Sequence, residues 1–170
     1  AQMAIEAGAQ YGGLIFAEKS PRCITPEQAL TITQKAPSLN YVGVFVNHKR
    51  QDIAALAQQL NLFAVQLHGD EDQEYIDKLQ QQLPENCQIW KAIAVQQQVP
   101  AFTVNAQQYV LDGKNAGSGQ AFNWQALADS EQDLSSCFLA GGLNSDNIEN
   151  AIEQLTTQEL FGLDLNSGVE

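Results

Sequence analysis

No apolar run in the sequence approaches the length that crosses a bilayer, so no membrane-spanning helix is expected. The first ten residues contain no lysine or arginine and include Glu6, which excludes the pattern of a secretory leader. Positive charge is scarce: eight lysines and arginines stand against twenty aspartates and glutamates, for a formal charge of −12. A surface of that sign repels phosphate backbones and anionic lipid, so neither nucleic acid nor a membrane is expected as a partner. Cysteine is scarce as well. Cys23, Cys87 and Cys137 lie far apart with no Cys-x-x-Cys pair, so neither a disulfide framework nor a zinc site is indicated, and a cytoplasmic setting is expected. Neither a G-x-G-x-x-G nor a phosphate-loop motif follows the first apolar segment, where a nucleotide-binding open sheet usually carries one.

What the 170 residues do contain is a regular alternation, on a scale that suits one domain, 1–170. Residues 2–10 have a helical composition, with Gly8 near the end, and Tyr11-Gly-Gly-Leu-Ile-Phe16 follows as a short apolar strand. Thr25-Pro-Glu-Gln has the marks of a helix start: an N-cap threonine, proline at the first position and acid in the first turn. Strand Tyr41–Val46 then leads to a helix near 50–60, and strand Ala64–Leu67 to a helix near 71–83. Strand Ile89–Val95 precedes a poorly marked stretch at 100–106. Strands Tyr109–Leu111, Phe138–Ala140 and Leu160–Leu165 complete the series, with helices at 124–128 and 146–155 between them.

Short apolar strands alternating with helices predict an α/β fold with a parallel sheet covered by helices. Polar and glycine residues gather after the strands, at the carboxyl ends where parallel α/β folds carry their chemistry. A (β/α)8 TIM barrel fits this pattern. The seven strands leave it incomplete, with the chain beginning on a helix and ending on a strand, and a doubly wound open sheet is the alternative on pattern alone.

Three glycine clusters suit an anion: Gly117-Ser118-Gly119, Gly141-Gly142 and Asn166-Ser167-Gly168. Glycine lets backbone N–H groups come close to a phosphate, and barrel enzymes commonly hold phosphate on loops after their last strands. Singly, each cluster reads equally as a turn. Asp112 ends the strand Tyr-Val-Leu-Asp, which suits either a general acid or a carboxylate capping the following loop. Asp164 stands similarly after Gly162-Leu163. His68 follows Val65-Gln66-Leu67, at the same end of its strand, whereas His48, among Asn47, Lys49 and Arg50, reads as a solvated loop residue. Arg22, held after Pro21, suits either bidentate capture of a carboxylate or an exposed surface. Lys91 lies inside its strand, fit for a Schiff base or for pairing with an interior carboxylate.

Taken in order, these segments resemble phosphoribosylanthranilate isomerase. The resemblance runs through Tyr11–Phe16 with Ser20-Pro21-Arg22, Tyr41–Phe45, Val65-Gln-Leu-His-Gly69, Asp112 with Gly117–Gly119, Leu139–Leu143 and Gly162–Glu170. Its most specific parts are Gln-Leu-His-Gly and Asp-x-Asn-Ser-Gly-Val-Glu. It implies an Amadori rearrangement of N-(5′-phosphoribosyl)anthranilate, a phosphosugar, with no cofactor and no metal. Asp112 matches the general acid, Arg22 the grip on the anthranilate carboxylate, and His68 and Asp164 further polar residues of the site. The three glycine clusters match the phosphate cradle.

The family's base is a cysteine in a Lys-x-Cys-Gly segment of its first strand, which would precede Ala1. The resemblance therefore implies that the first strand and last helix lie outside this chain and that the chain alone is inactive. It is similar to the isomerase half of bifunctional bacterial enzymes, which implies a fused indole-glycerol-phosphate synthase domain. Two other readings remain: a different phosphosugar barrel, such as a Lys91 aldolase or a lyase, and a non-catalytic phosphosugar-binding module.

Overall fold

The computed structural model describes residues 1–113 and 124–169. It divides into two units, Ala1–Trp90 with Val104–Ala106, and Lys91–Thr103 with the chain from Gln107 onward. No helix among the described residues is long and apolar enough to cross a membrane.

The first unit is built on capped helices and a parallel sheet. Helix α1 (Gln2–Glu6) buries no residue and has no side-chain cap, and Gly8 at φ +84 follows it. The helix expected over 2–10 therefore stops early, since neither an apolar face nor a cap holds its last turn. Strand β1 (Tyr11–Ile15) follows. Helix α2 (Pro26–Lys35) begins as the sequence predicts: Thr25 accepts the Gln28 N–H, the Gln28 side chain accepts the Thr25 N–H, and Pro26 takes a position that needs no donor. Strand β2 (Asn40–Phe45), helix α3 (Arg50–Leu60), strand β3 (Ala64–Leu67) and helix α4 (Gln73–Gln80) complete the unit. Asn61 closes α3 in the left-handed conformation, and Asp72 caps α4 by accepting the Tyr75 N–H at 2.8 Å.

β1 pairs with β2 and β2 with β3, all parallel, with Tyr11 opposite Asn40 and Val42 opposite Ala64. All four residues of β3 are buried, and three of them, Ala64, Val65 and Leu67, are apolar, with Gln66 the exception. Leu14, Phe45, Ile53, Leu67, Leu79 and Ile89 form the heart of the core, and the Phe16 and Phe45 rings stack at 5.1 Å.

Strand β4 (Gln88–Val95) runs from the first unit into the second. Beyond it the poorly marked stretch at 100–106 forms no helix or strand, and Phe102 stacks on Tyr109 at 4.2 Å. The second unit then carries β5 (Gln108–Gly113), α5 (Gln125–Ala128), β6 (Cys137–Leu139), α6 (Ile148–Gln154) and β7 (Gly162–Leu163). β5 pairs with β6 and β6 with β7, again parallel and in chain order. The last strand was expected over 160–165. It is shorter because its ladder is set by the three-residue β6, and Phe161 and Leu165 on either side are exposed.

Candidate active site

Register places the acidic residues of the second unit. Leu111 pairs with Leu139, and Leu139 with Leu163. Two bonds carry these ladders one step further: Ala140 donates to the Leu111 carbonyl at 2.9 Å and Asp164 to the Leu139 carbonyl at 2.8 Å. Asp112 and Asp164 thus stand at one level, two strands apart, with Ala140 between them. Residues at one level of an in-register parallel sheet point to one face, and here the intervening side chain is a single methyl group. Asp112 is buried, and its Oδ1 accepts the Gly113 N–H at 2.7 Å. Asp164 is open to solvent yet crowded by protein. Loss of hydration pushes its carboxyl pKa up to about 6, and the Asp112 charge adds to the rise. Two interacting carboxyls, one of which holds a proton more readily than an ordinary aspartate, can give and take protons near neutral pH.

Beside them the sequence builds two backbone turns. Gly141 and Gly142 take φ +80 and +69, a conformation open to glycine at little cost. Asn166–Gly168 follows β7, and Gly168 forms a parallel bridge with Asn144. The approach is so close that a Cβ on Gly168 would lie 2.0 Å from the Leu143 carbonyl oxygen. Two of the three glycine clusters are therefore brought together. Gly117–Gly119 falls outside the described residues.

Asn147 fixes the first turn from both ends of its amide. It donates to the Gly142 carbonyl at 2.9 Å and accepts the Asn144 N–H at 2.9 Å. Asn144 in turn accepts the Asp146 N–H at 2.9 Å.

The other predicted residues belong to the first unit. Arg22 sits half-buried in the turn after β1, its N–H donating to Ser20 Oγ at 3.2 Å. His68 follows β3 half-buried, with its N–H on the Phe45 carbonyl at 2.8 Å and its Nδ1 at 3.4 Å from the Gln66 amide. Both follow the carboxyl ends of parallel strands, as expected. His48 is half-buried, edge-on to Phe45, rather than solvated. Lys91 is buried within β4. Cys87 and Cys137 are buried near the amino ends of β4 and β6, and burial pushes both thiols up to about 11, while Cys23 is exposed.

With this arrangement of strand-end carboxylates and glycine turns in view, comparison with known proteins is decisive. The family model for N-(5′-phosphoribosyl)anthranilate (PRA) isomerase matches residues 1–170. The chain belongs to that family. It is 47% identical over 171 residues to the tryptophan biosynthesis protein TrpCF of Yersinia pestis, covering 100% of this chain and 34% of that protein. Against the protein of the same name from Haemophilus influenzae it is 44% identical over 174 residues, covering 97% of this chain and 35% of the relative. The chain thus spans about a third of the length of the curated relatives it matches.

Among solved structures, the phosphoribosyl anthranilate isomerase of Thermus thermophilus superposes with a TM-score of 0.80 at 31% identity, over 99% of this chain and 82% of that one. A phosphoribosyl anthranilate isomerase in complex with reduced 1-(o-carboxyphenylamino)-1-deoxyribulose 5-phosphate superposes at 0.74 with 30% identity, over 99% and 81%. The α/β fold with its parallel strands is that of these isomerases.

Sequence reasoning missed residues that hold loop backbone in each unit: Asn144 and Asn147 beside the glycine turn of the second, and Asn47 and Glu71 near His68 in the first. The pair Asn144-x-x-Asn147 did carry a signal, since asparagines so spaced ahead of a helix commonly bond local backbone. Glu71 carried none, being hidden in the acidic run Asp70-Glu71-Asp72.

Proposed function

We propose that this chain provides the isomerase portion of a tryptophan-biosynthesis protein. In this reading it converts N-(5′-phosphoribosyl)anthranilate to 1-(2-carboxyphenylamino)-1-deoxyribulose 5-phosphate in the cytoplasm. The observation that carries the reading is the second unit's set of two facing carboxyls beside two joined glycine turns, in a chain that matches the isomerase family along its whole length. Asp112 protonates the furanose oxygen, and the ring opens to a protonated Schiff base. A base removes the C2′ proton to give an enolamine, which tautomerises to the ketone. The raised carboxyl of Asp164 supports a proton held jointly by the pair. Gly141, Gly142 and Asn166–Gly168 hold the phosphate together with Gly117–Gly119, Arg22 grips the anthranilate carboxylate, and His68 contacts the substrate.

The base is none of the three cysteines here. Two are buried thiols with pKa values near 11, at the amino ends of their strands, and the third lies in the loop after Arg22. We therefore read residues 1–170 as one (β/α)8-barrel domain completed by a first strand and last helix from a longer protein. That protein also carries an indole-glycerol-phosphate synthase domain.

The test is turnover of phosphoribosylanthranilate, followed by loss of its fluorescence. The chain by itself should be essentially inactive, and a version extended with the family's Lys-x-Cys-Gly strand and last helix should be active. Full turnover by residues 1–170 would overturn the assignment of the base, and no turnover by the extended protein would overturn the function.

A further inference from the structure

Of the three acids in Asp70-Glu71-Asp72, two face water and one does not. Asp72 is exposed and caps α4, and Asp70 is exposed, whereas Glu71 is 5% exposed. A buried carboxylate is costly unless donors meet it, and Glu71 is met by two backbone amides from different loops. Its Oε1 accepts the Asn47 N–H at 2.8 Å and its Oε2 the Gly69 N–H at 2.9 Å. Asn47, at φ +53, returns the connection through its own Oδ1, which accepts the Asp70 N–H at 2.9 Å. The loop after β2 is thereby tied to the loop after β3 at two points, and the Gly69 bond braces the second loop from within.

His68 lies inside this clip. Its own N–H is fixed on the Phe45 carbonyl, the next amide in the chain is fixed on Glu71, and the buried Gln66 amide stands 3.4 Å from its ring. We propose that Glu71 is the positioning residue for His68: its two carboxylate oxygens, each taking one amide, set the backbone from which the imidazole projects. The proposal rests on the isomerase reading only for what His68 contacts. The charge and the fork are both required. A glutamine has one acceptor oxygen and would turn an NH2 group against the second N–H, leaving a half-buried donor unpaired.

The experiment is a double-mutant cycle in the protein extended with the family's first strand and last helix, using Glu71→Gln, His68→Ala and the pair. Affinity for reduced 1-(o-carboxyphenylamino)-1-deoxyribulose 5-phosphate is measured by calorimetry, and the His68 ring resonances by NMR. Glu71→Gln should move the His68 ring resonances and weaken binding about tenfold, the worth of one charge-assisted hydrogen bond. The double variant should bind no worse than His68→Ala, because a positioning residue has nothing left to position. Additive losses, or unmoved His68 resonances, would overturn the proposal and leave Glu71 a structural clip. Should Glu71→Gln fail to fold, Glu71→Asp, which keeps the charge but is one methylene too short to span both amides, is read against the same two outcomes. If the extended protein without these substitutions does not bind the analogue, the isomerase reading of this chain falls. The ring resonances, which need no ligand, still decide the role of Glu71.

Discussion

In the first unit β1 and β2 share five register pairs and β2 and β3 four, whereas in the second β5 and β6 share three and β6 and β7 two. Apart from the five-residue α1, the helices differ in the same sense: α2, α3 and α4 have ten, eleven and eight residues, α5 and α6 four and seven. Where ladders and helices are short, side-chain amides take over the backbone. Gln132 donates to the Val99 and Pro100 carbonyls, Gln158 to those of Ala128 and Ser130, and Asn147 to that of Gly142. Both units bury apolar side chains, Phe45 and Leu67 in the first and Leu111 and Leu139 in the second, and in the second these side-chain amides add ties between its loops. The anion turns proposed above need backbone that is not consumed by ladders, and the short ladders of the second unit leave it.

The largest expected effect tests whether the reaction divides along this line. In the extended protein, Asp112→Asn should lower kcat by ~10²–10⁴-fold with little change in KM, as loss of a general acid does. Arg22→Ala, in the first unit, should act mainly on KM, because a carboxylate grip remote from the reacting carbon binds ground and transition states alike. Steady-state kinetics that show equal kcat losses would break the division.

Next in size, Phe45→Ala removes a fully buried ring from the first unit's core and should cost about 3–5 kcal/mol. Gln158→Ala removes one amide from the second unit and should cost about 1 kcal/mol. Urea denaturation measures both. Comparable losses would mean that one side-chain amide of the second unit is worth as much as a buried aromatic ring of the first.

The smallest effect is a matter of protons. The pKa of folded Asp164, at about 6, lies above its ordinary value of 3.8, so the folded state disfavours the charged form. Its contribution to stability is therefore lost as pH rises through about 6 and regained as pH falls toward 4. Carboxyl NMR should find Asp164 titrating above the usual aspartate range, and Asp112→Asn should lower that midpoint by removing the neighbouring charge. An unchanged midpoint in Asp112→Asn would show that the two carboxyls do not sense each other.

The contrast between the units also explains how far sequence alone reached. Thr25-Pro26, the apolar β3 and the helix at Arg50–Leu60 were readable because capping chemistry and continuous burial leave local signatures. β7 was overextended because its length depends on its partner, and partner length is not written locally. Asp112, Asp164 and the glycine pair were legible as strand-end residues, but Ala140 as the gap between two acids emerges only from register. Glu71 was opaque for a related reason. Its neighbours in sequence are solvated acids, and what distinguishes it is a pair of amides, one of them from a loop twenty-four positions away.

The contrast among the three cysteines gives the experimenter a tool. At neutral pH a thiol with a pKa near 11 is ionised in only about one molecule in ten thousand, and burial further shields Cys87 and Cys137 from reagents. Cys23 is exposed and adjoins Arg22. A maleimide dye added to the native chain would therefore settle on a single address without any engineered cysteine, one residue from the proposed carboxylate grip. Its emission would then report on the surroundings of Arg22 as ligands come and go.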